Sequence, residues 1–239
     1  KQFVDKSLFY QQTPVGDYEK TILFFAEVLF PQDWVPFQTT SLDGAELVEE
    51  VLPILQSNPS IHYARLYENY TFPDYEPGAL LETVNSVTDS LDRGYNIAVH
   101  VGHGYRNVMS VGNGDLTNAD AVAMTNGSRL TNLYAINCTS NAIDFPSIGE
   151  AFMQAPNGGA VTNIGSTNLD FPTAGRGYQA EYFRILFEDS VTAIGEAQAL
   201  AKIPFIPFSS YDGVNRWTQM TLLLLGDPEL HVWTGTPRT

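Results

Sequence analysis

The chain has 239 residues, 44% of them hydrophobic and 12% aromatic, enough for one large α/β domain with a real core or two small ones. Its 27 acidic residues against 12 Lys and Arg leave a formal net charge of −15, which argues against nucleic acid, because phosphate contacts need clustered basic side chains. The single cysteine excludes an internal disulfide framework and a thiolate-rich zinc site, and no segment approaches the roughly 20 apolar residues that span a bilayer.

The chain opens on Lys1 and carries no signal peptide, so it reads as a processed or excised piece. Residues 1–20 form a polar lead-in with a short helix over 3–10. Residues 21–26 are a buried strand that ends at Glu27, and 31–40 are a loop displaying Trp34 and Phe37. Ser41 or Asp43 can cap a helix over 42–56, where Leu47, Val48, Val51, Leu52 and Leu55 recur at helical spacing and Pro53 introduces a kink. A strand over 61–66 precedes turns at Pro73, Pro77 and Gly78. An amphipathic helix over 79–92 is stopped by Gly94.

A strand reaching Val101 follows, then a Gly/Asn-rich connection over 112–115 and a short helix from Thr117 to Met124. The strand over 133–138 leads to a helix opened by Pro146 and Ser147 and closed near Pro156. After a strand over 160–165, helices are expected at 175–188, 191–201 and 215–225, with a closing strand at 230–233. Strands alternating with helices imply one domain built on a mainly parallel sheet with helices on both faces.

Two of these strands end in reactive side chains. Tyr95-Asn-Ile-Ala-Val-His-Val-Gly-His-Gly104 delivers His103 between two glycines, and Leu133-Tyr-Ala-Ile-Asn-Cys138 delivers the only cysteine. Open α/β sheets place their sites at such strand ends. Taken singly, Cys138 reads as a buried structural thiol and His103 as a satisfied histidine. Their joint placement favours a thiol nucleophile and its base, with Gly104 and Cys138 offering main-chain N–H groups to an oxyanion. His100 suggests a metal pair with His103, but residues three apart on a strand face opposite sides, which makes it a core or supporting residue.

Glu27 could accept a hydrogen bond from His103 and fix its tautomer, or simply be a solvated strand-end carboxylate. Asp43 could line a pocket for a basic side chain, or merely cap a helix. Asp144 and Asp170 can both reach the same rim. Asn113, Asp115, Asn118 and Asp120 resemble calcium ligands only loosely, since they lack the spacing and terminal Glu of an EF-hand. A turn followed by a helix cap explains them.

Val101-Gly-His-Gly-Tyr105, Ile136-Asn-Cys-Thr139, Gly158-Gly-Ala-Val-Thr-Asn-Ile-Gly-Ser-Thr167 and Leu225-Gly-Asp-Pro-Glu-Leu230 occur in an order that resembles the gingipain-type cysteine peptidases. The likeness runs from about Thr21 to the C-terminus and looks like the catalytic subdomain without the smaller one that precedes it. It implies a caspase-like three-layer α/β/α sandwich with a mainly parallel sheet, and a polypeptide substrate. By the same likeness His103 is the catalytic histidine, Cys138 the nucleophile, Gly104 and Cys138 the oxyanion hole, and Glu27 the acid that supports the histidine. Asp43 falls near the acid that receives an Arg side chain in Arg-specific members, which implies a basic residue before the scissile bond. Ser166 and Thr167 match a stretch beside the substrate pocket, with Phe171 as its aromatic wall.

No cofactor is required by this chemistry, and structural calcium is compatible with it without a specific motif. A propeptide or a preceding subdomain is an expected partner, and the resemblance implies a secreted or cell-surface location of bacterial type. Relatives include a secretion-system sortase, so transfer to an amine is an alternative to hydrolysis. An inactive caspase-like module that binds through Trp34 and Phe37 is another.

Overall fold

The computed structural model describes residues 2–13, 15–112 and 114–235. Helix α1 (Gln2–Gln12) leads into strand β1 (Thr21–Ala26) and the short strands β2 (Val28–Phe30) and β3 (Leu42–Asp43). Helices α2 (Gly44–Glu49) and α3 (Leu52–Gln56) precede β4 (His62–Tyr67), β5 (Ala79–Leu81) and α4 (Val84–Arg93). Strands β6 (Ile97–Val101), β7 (Gly104–Tyr105), β8 (Val108–Val111) and β9 (Gly114–Thr117) follow, then α5 (Asn118–Val122) and β10 (Thr131–Ile136). The chain continues through α6 (Ile148–Gln154), β11 (Ala160–Ser166), α7 (Pro172–Phe187), α8 (Ile194–Lys202), α9 (Gly213–Thr221) and β12 (Leu222–Leu225).

Seven strands make one sheet in the order β12-β11-β10-β6-β1-β4-β5, and every pair is parallel except β11 with β12. Successive residues of a strand face opposite sides, so each central strand feeds two cores. Phe24, Val99 and Tyr134 pack with α2, α3, α7 and α8 on one face. Phe25, Ala98 and Leu133 pack with α4, α5, α6 and the β8–β9 hairpin on the other. That is why β6 and β10 are buried along their whole length and read as near-continuous apolar runs. The three-layer α/β/α sandwich follows directly, in agreement with the alternation in the sequence.

Several local expectations are corrected. Leu42–Asp43 is extended and pairs with β2, and the helix over 42–56 is two helices broken after Glu49. Pro53 sits in the first turn of α3, where a missing N–H costs nothing, so it starts a helix rather than kinking one. Ala79–Leu81 is an edge strand on β4, and α4 begins only after Thr83, whose hydroxyl accepts the Ser86 N–H at 3.0 Å in a capping box. The helix over 215–225 stops at Thr221, because Leu222–Leu225 runs antiparallel to β11; four consecutive leucines carry no period with which to choose. Residues 230–233 form no strand, only an isolated bridge between Ala193 and His231.

Trp34 is 8% exposed and donates its indole N–H to the Gln38 carbonyl at 2.8 Å, whereas Phe37 is 98% exposed. The calcium-like residues serve turns and caps. Asp120 closes a capping box with Thr117, Asp115 accepts the Ser110 hydroxyl at 2.8 Å, and Asn118 donates to the Pro146 carbonyl; Asn113 lies outside the described residues. Among the described residues no helix is long and apolar enough to cross a membrane.

The lead-in is not merely polar, since Tyr10 and Tyr18 belong to the core. The Tyr10 hydroxyl donates to Asn96 Oδ1 at 2.6 Å and accepts from Asn132 Nδ2 at 2.9 Å and the Trp233 N–H at 3.1 Å. It thus ties α1 to the starts of β6 and β10 and to the last described residues. Removing one buried hydroxyl leaves three groups to find other partners. Tyr10→Phe is expected to lower the unfolding free energy by about 2 kcal/mol in a urea titration.

Candidate active site

Strands β6 and β10 are parallel neighbours with Val101 opposite Ile136, and the Gly102 N–H donates to the Ile136 carbonyl at 3.2 Å. Two residues beyond those paired positions stand His103 and Cys138. Both therefore emerge at the C-terminal edge of the sheet from strands about 4.8 Å apart. Gly104 lets the two loops meet, and Gly102 leaves room for the His100 ring. A Cβ on Gly102 would lie 2.5 Å from His100 Nε2, and one on Gly104 would lie 3.0 Å from both the Asn137 amide and the Cys138 carbonyl oxygen. Thr139 adopts a φ of 56°, which turns the chain sharply just past the thiol.

His103 Nε2 lies 2.9 Å from the Leu29 carbonyl oxygen and 3.4 Å from Gln32 Nε2. A carbonyl only accepts, so Nε2 carries a proton. Phe30 meets the imidazole edge-on, with centroids 5.7 Å apart. Glu27 Oε1 accepts the main-chain N–H of His103, and not the ring N–H of the expectation. The ring is oriented instead by the Leu29 carbonyl, which no side-chain pattern could reveal. Burial pushes the Glu27 carboxyl up to about 7; the His103 N–H opposes this, and Glu68 and Asp115 add to it.

Glu27 is the first of a row. Glu68 and Glu82 follow Tyr67 and Leu81, which pair across β4 and β5, as Glu27 follows Ala26 opposite Tyr67. Glu68 accepts the Val28 N–H at 2.8 Å. Glu82 is 1% exposed; the Gly112 N–H turns toward its carboxyl, and among the described residues neither oxygen makes a full hydrogen bond. Burial, then Glu27 and Glu68, raise its pKa well above the usual carboxylate range. Among the described residues no three His, Cys, Asp or Glu side chains converge as a metal would require.

His100 is fully buried. Its Nε2 faces the Ser110 carbonyl at 2.9 Å and its Nδ1 faces Asn137 Nδ2 at 3.0 Å, so both nitrogens are engaged and it steadies the residue beside the thiol. Burial lowers its pKa to about 4, leaving a neutral ring.

Cys138 is half-buried, and its sulfur accepts the Asp170 N–H at 3.4 Å. Burial raises the thiol pKa; the Asp170 N–H opposes that shift and the Asp170 carboxylate adds to it, so the resting thiol is protonated at neutral pH. No hydrogen bond joins the sulfur to the imidazole among the described residues. Asp144 instead faces Arg106 at 3.6 Å on the surface. The structure thus separates the two rim carboxylates that the sequence left unranked.

Asp43 is 3% exposed and does cap α2, with Oδ1 accepting the Ala45 N–H at 3.0 Å. Its Oδ2 accepts from Asn69 Nδ2 at 3.0 Å and the Tyr75 hydroxyl at 3.2 Å. It also forms the wall of a cavity of about 370 Å³ shared with Glu46, Glu49 and Asp74. Burial raises its pKa. Ser166 is buried at the end of β11, Thr167 is half-buried, and Phe171 is 38% exposed at the start of α7. Beside them stands Trp217, also 38% exposed, whose indole N–H holds the Leu169 carbonyl at 2.8 Å. Sequence reasoning passed over Trp217 because it lies within a helical stretch. A larger cavity of about 850 Å³ opens at the opposite end of the sheet, between α1 and residues 156–158, and contains none of these groups.

Among solved structures the fold is similar to gingipain R, an Arg-specific cysteine proteinase, with TM-score 0.76 and 18% identity over 97% of this chain and 52% of that one. A complex of the pro- and mature domains of RgpB from Porphyromonas gingivalis matches with TM-score 0.75 and 19% identity, covering 97% and 53%. A third structure, described simply as a protease, matches with TM-score 0.73 and 15% identity, covering 100% and 54%. The chain therefore spans about half the length of these structures, and at such identities the likeness is one of fold. No curated protein matches the sequence. The model of peptidase family C25 matches residues 1–233, nearly the whole chain, and the protein belongs to that family.

Proposed function

We propose that this chain carries the active site of a cysteine endopeptidase. The observation that supports it best is the common rank of His103 and Cys138, each two residues past a paired position on neighbouring parallel strands, with Gly104 packed on the cysteine turn. In this reading a bound peptide brings the sulfur and His103 Nδ1 together. Nδ1 takes the thiol proton as sulfur attacks the carbonyl carbon, and the resulting oxyanion accepts the N–H groups of Gly104 and Cys138. The Leu29 carbonyl holds the imidazolium in place through Nε2–H. His103 then protonates the departing amine, leaving a thioester. Water, deprotonated by the same ring, hydrolyses it and restores the thiol. Every proton is accounted for by His103 and water, so no cofactor or metal is called for. Hydrolysis of a peptide library by this chain, and its disappearance in Cys138→Ala, tests the reading.

A basic residue before the scissile bond is the preference we propose, supported by the four carboxylates around the 370 Å³ cavity. Asp43→Asn is expected to reduce the preference for Arg or Lys over a neutral residue by about tenfold or more in kcat/KM. Unchanged selectivity would remove Asp43 from the pocket. A secreted or cell-surface location and a propeptide partner belong to the same proposal; the complex of pro- and mature domains of RgpB supports the latter.

A further inference from the structure

Residues 167–171 cross the site as a strap between β11 and α7. On one side the strap is tied to α9, where the Thr167 N–H donates to the Thr221 carbonyl at 2.9 Å and Trp217 holds the Leu169 carbonyl. On the other side it is tied to the cysteine turn, where the Thr139 N–H donates to the Asn168 carbonyl at 2.8 Å and the Asp170 N–H donates to the Cys138 sulfur at 3.4 Å. The Asp170 side chain folds back over this junction. Its Oδ1 accepts the Phe171 N–H at 2.7 Å, and the Asn137 N–H turns toward the same carboxylate. Asp170 therefore touches the residue before the thiol with its carboxylate and the thiol itself with its main chain.

On the reading of Cys138 as a nucleophile, we infer that Asp170 is a positioning residue: its carboxylate pins the Asn137–Cys138 turn while its N–H provides the sulfur with a standing partner. The thiolate that forms on proton transfer finds an N–H already aimed at it. The carboxylate has the opposite influence, since a negative charge beside the sulfur opposes early ionisation. Tyr134 on β10 also feels that charge. Burial, the largest influence, raises the Asp170 carboxyl to about 7, with the Phe171 and Asn137 N–H groups opposing it.

The test is Asp170→Asn, which keeps an oxygen for the Phe171 N–H and removes the charge. The rate of Cys138 alkylation by iodoacetamide is followed from pH 5 to 10, a readout that needs no peptide hydrolysis. The midpoint is expected to fall by about half a pH unit or more relative to the native chain. On a cleavable peptide, kcat is expected to fall about tenfold with KM little changed, because the turn is held less firmly. Superimposable alkylation profiles would overturn the inference. Should Asp170→Asn not fold, Asp170→Glu keeps the charge but displaces it by one methylene. It should leave the alkylation midpoint near the native one while lowering kcat, and an unchanged kcat would count equally against the inference. The two readings separate cleanly. A shifted midpoint without any peptide hydrolysis sinks the peptidase proposal alone, and Cys138-dependent hydrolysis with an unshifted midpoint sinks the role of Asp170 alone.

Discussion

Replacing Cys138 by alanine is expected to abolish peptide hydrolysis, and His103→Ala to reduce it by about 10²–10⁴-fold, measured as kcat/KM on a fluorogenic peptide. The reason lies in the state of the thiol. Burial and the Asp170 carboxylate raise the thiol pKa, so on the proposed mechanism sulfur attacks only when a base removes the proton. In the proposed mechanism that base is Nδ1 of His103, since the Leu29 carbonyl already occupies Nε2. His103→Ala should accordingly also slow iodoacetamide labelling of Cys138 near pH 7. Equal labelling of the native and His103→Ala proteins would show that the imidazole does not serve the sulfur. Neither substitution should disturb the fold, since Cys138 is only half-buried and His103 lies beyond the end of its strand.

Glu27→Gln should produce a protein that is more stable at alkaline pH and less active. The folded Glu27 carboxyl keeps its proton up to about pH 7, whereas an unfolded one ionises near 4.5. Between those values the folded state binds more protons, so its contribution to stability is complete below about 4.5 and is lost as pH rises through 7. The separation corresponds to about 3 kcal/mol. At pH 8 the glutamine protein should recover up to about that amount, and near pH 4 the two should converge. The difference between the two denaturation curves isolates Glu27, because His100, with its lowered pKa, destabilises the native chain in the opposite direction below about 6.5. Activity should move the other way. A charged Glu27 grips the His103 N–H more firmly than a neutral amide does, and kcat is expected to drop about tenfold. Identical pH–stability curves would mean that the carboxyl ionises freely in the folded protein. Such exchange of stability for a buried charge is common where a site must be held rigid.

His103 and Cys138 could be found from the sequence because each ends a short apolar run, and a run buried on both faces advertises its own end. Order along the chain also sufficed for the gingipain-type resemblance, through the Gly-His-Gly, Asn-Cys and Gly-Asp-Pro elements. The elements that were misplaced share a physical cause. Ala79–Leu81 and Leu222–Leu225 are edge strands, whose identity depends on a neighbour many residues away, while local periodicity suits a helix equally well. Residues 104–117 were not recognised as a three-stranded sheet, since its pairing is set by hairpin register rather than by apolar alternation.

Composition, alternation and strand-end chemistry therefore determined the fold class, the acidic character and the two reactive side chains, all of which depend on contacts within a run of residues. The tertiary structure alone decided what surrounds them. It placed the Leu29 carbonyl on the imidazole, the Glu27 carboxylate on the main chain, and Asp170 rather than Asp144 against the sulfur. Those partners come from distant segments meeting at one edge of a parallel sheet. Main-chain donors and acceptors are the same for nearly every residue type, so which of them will face a reactive side chain is written only in the packing.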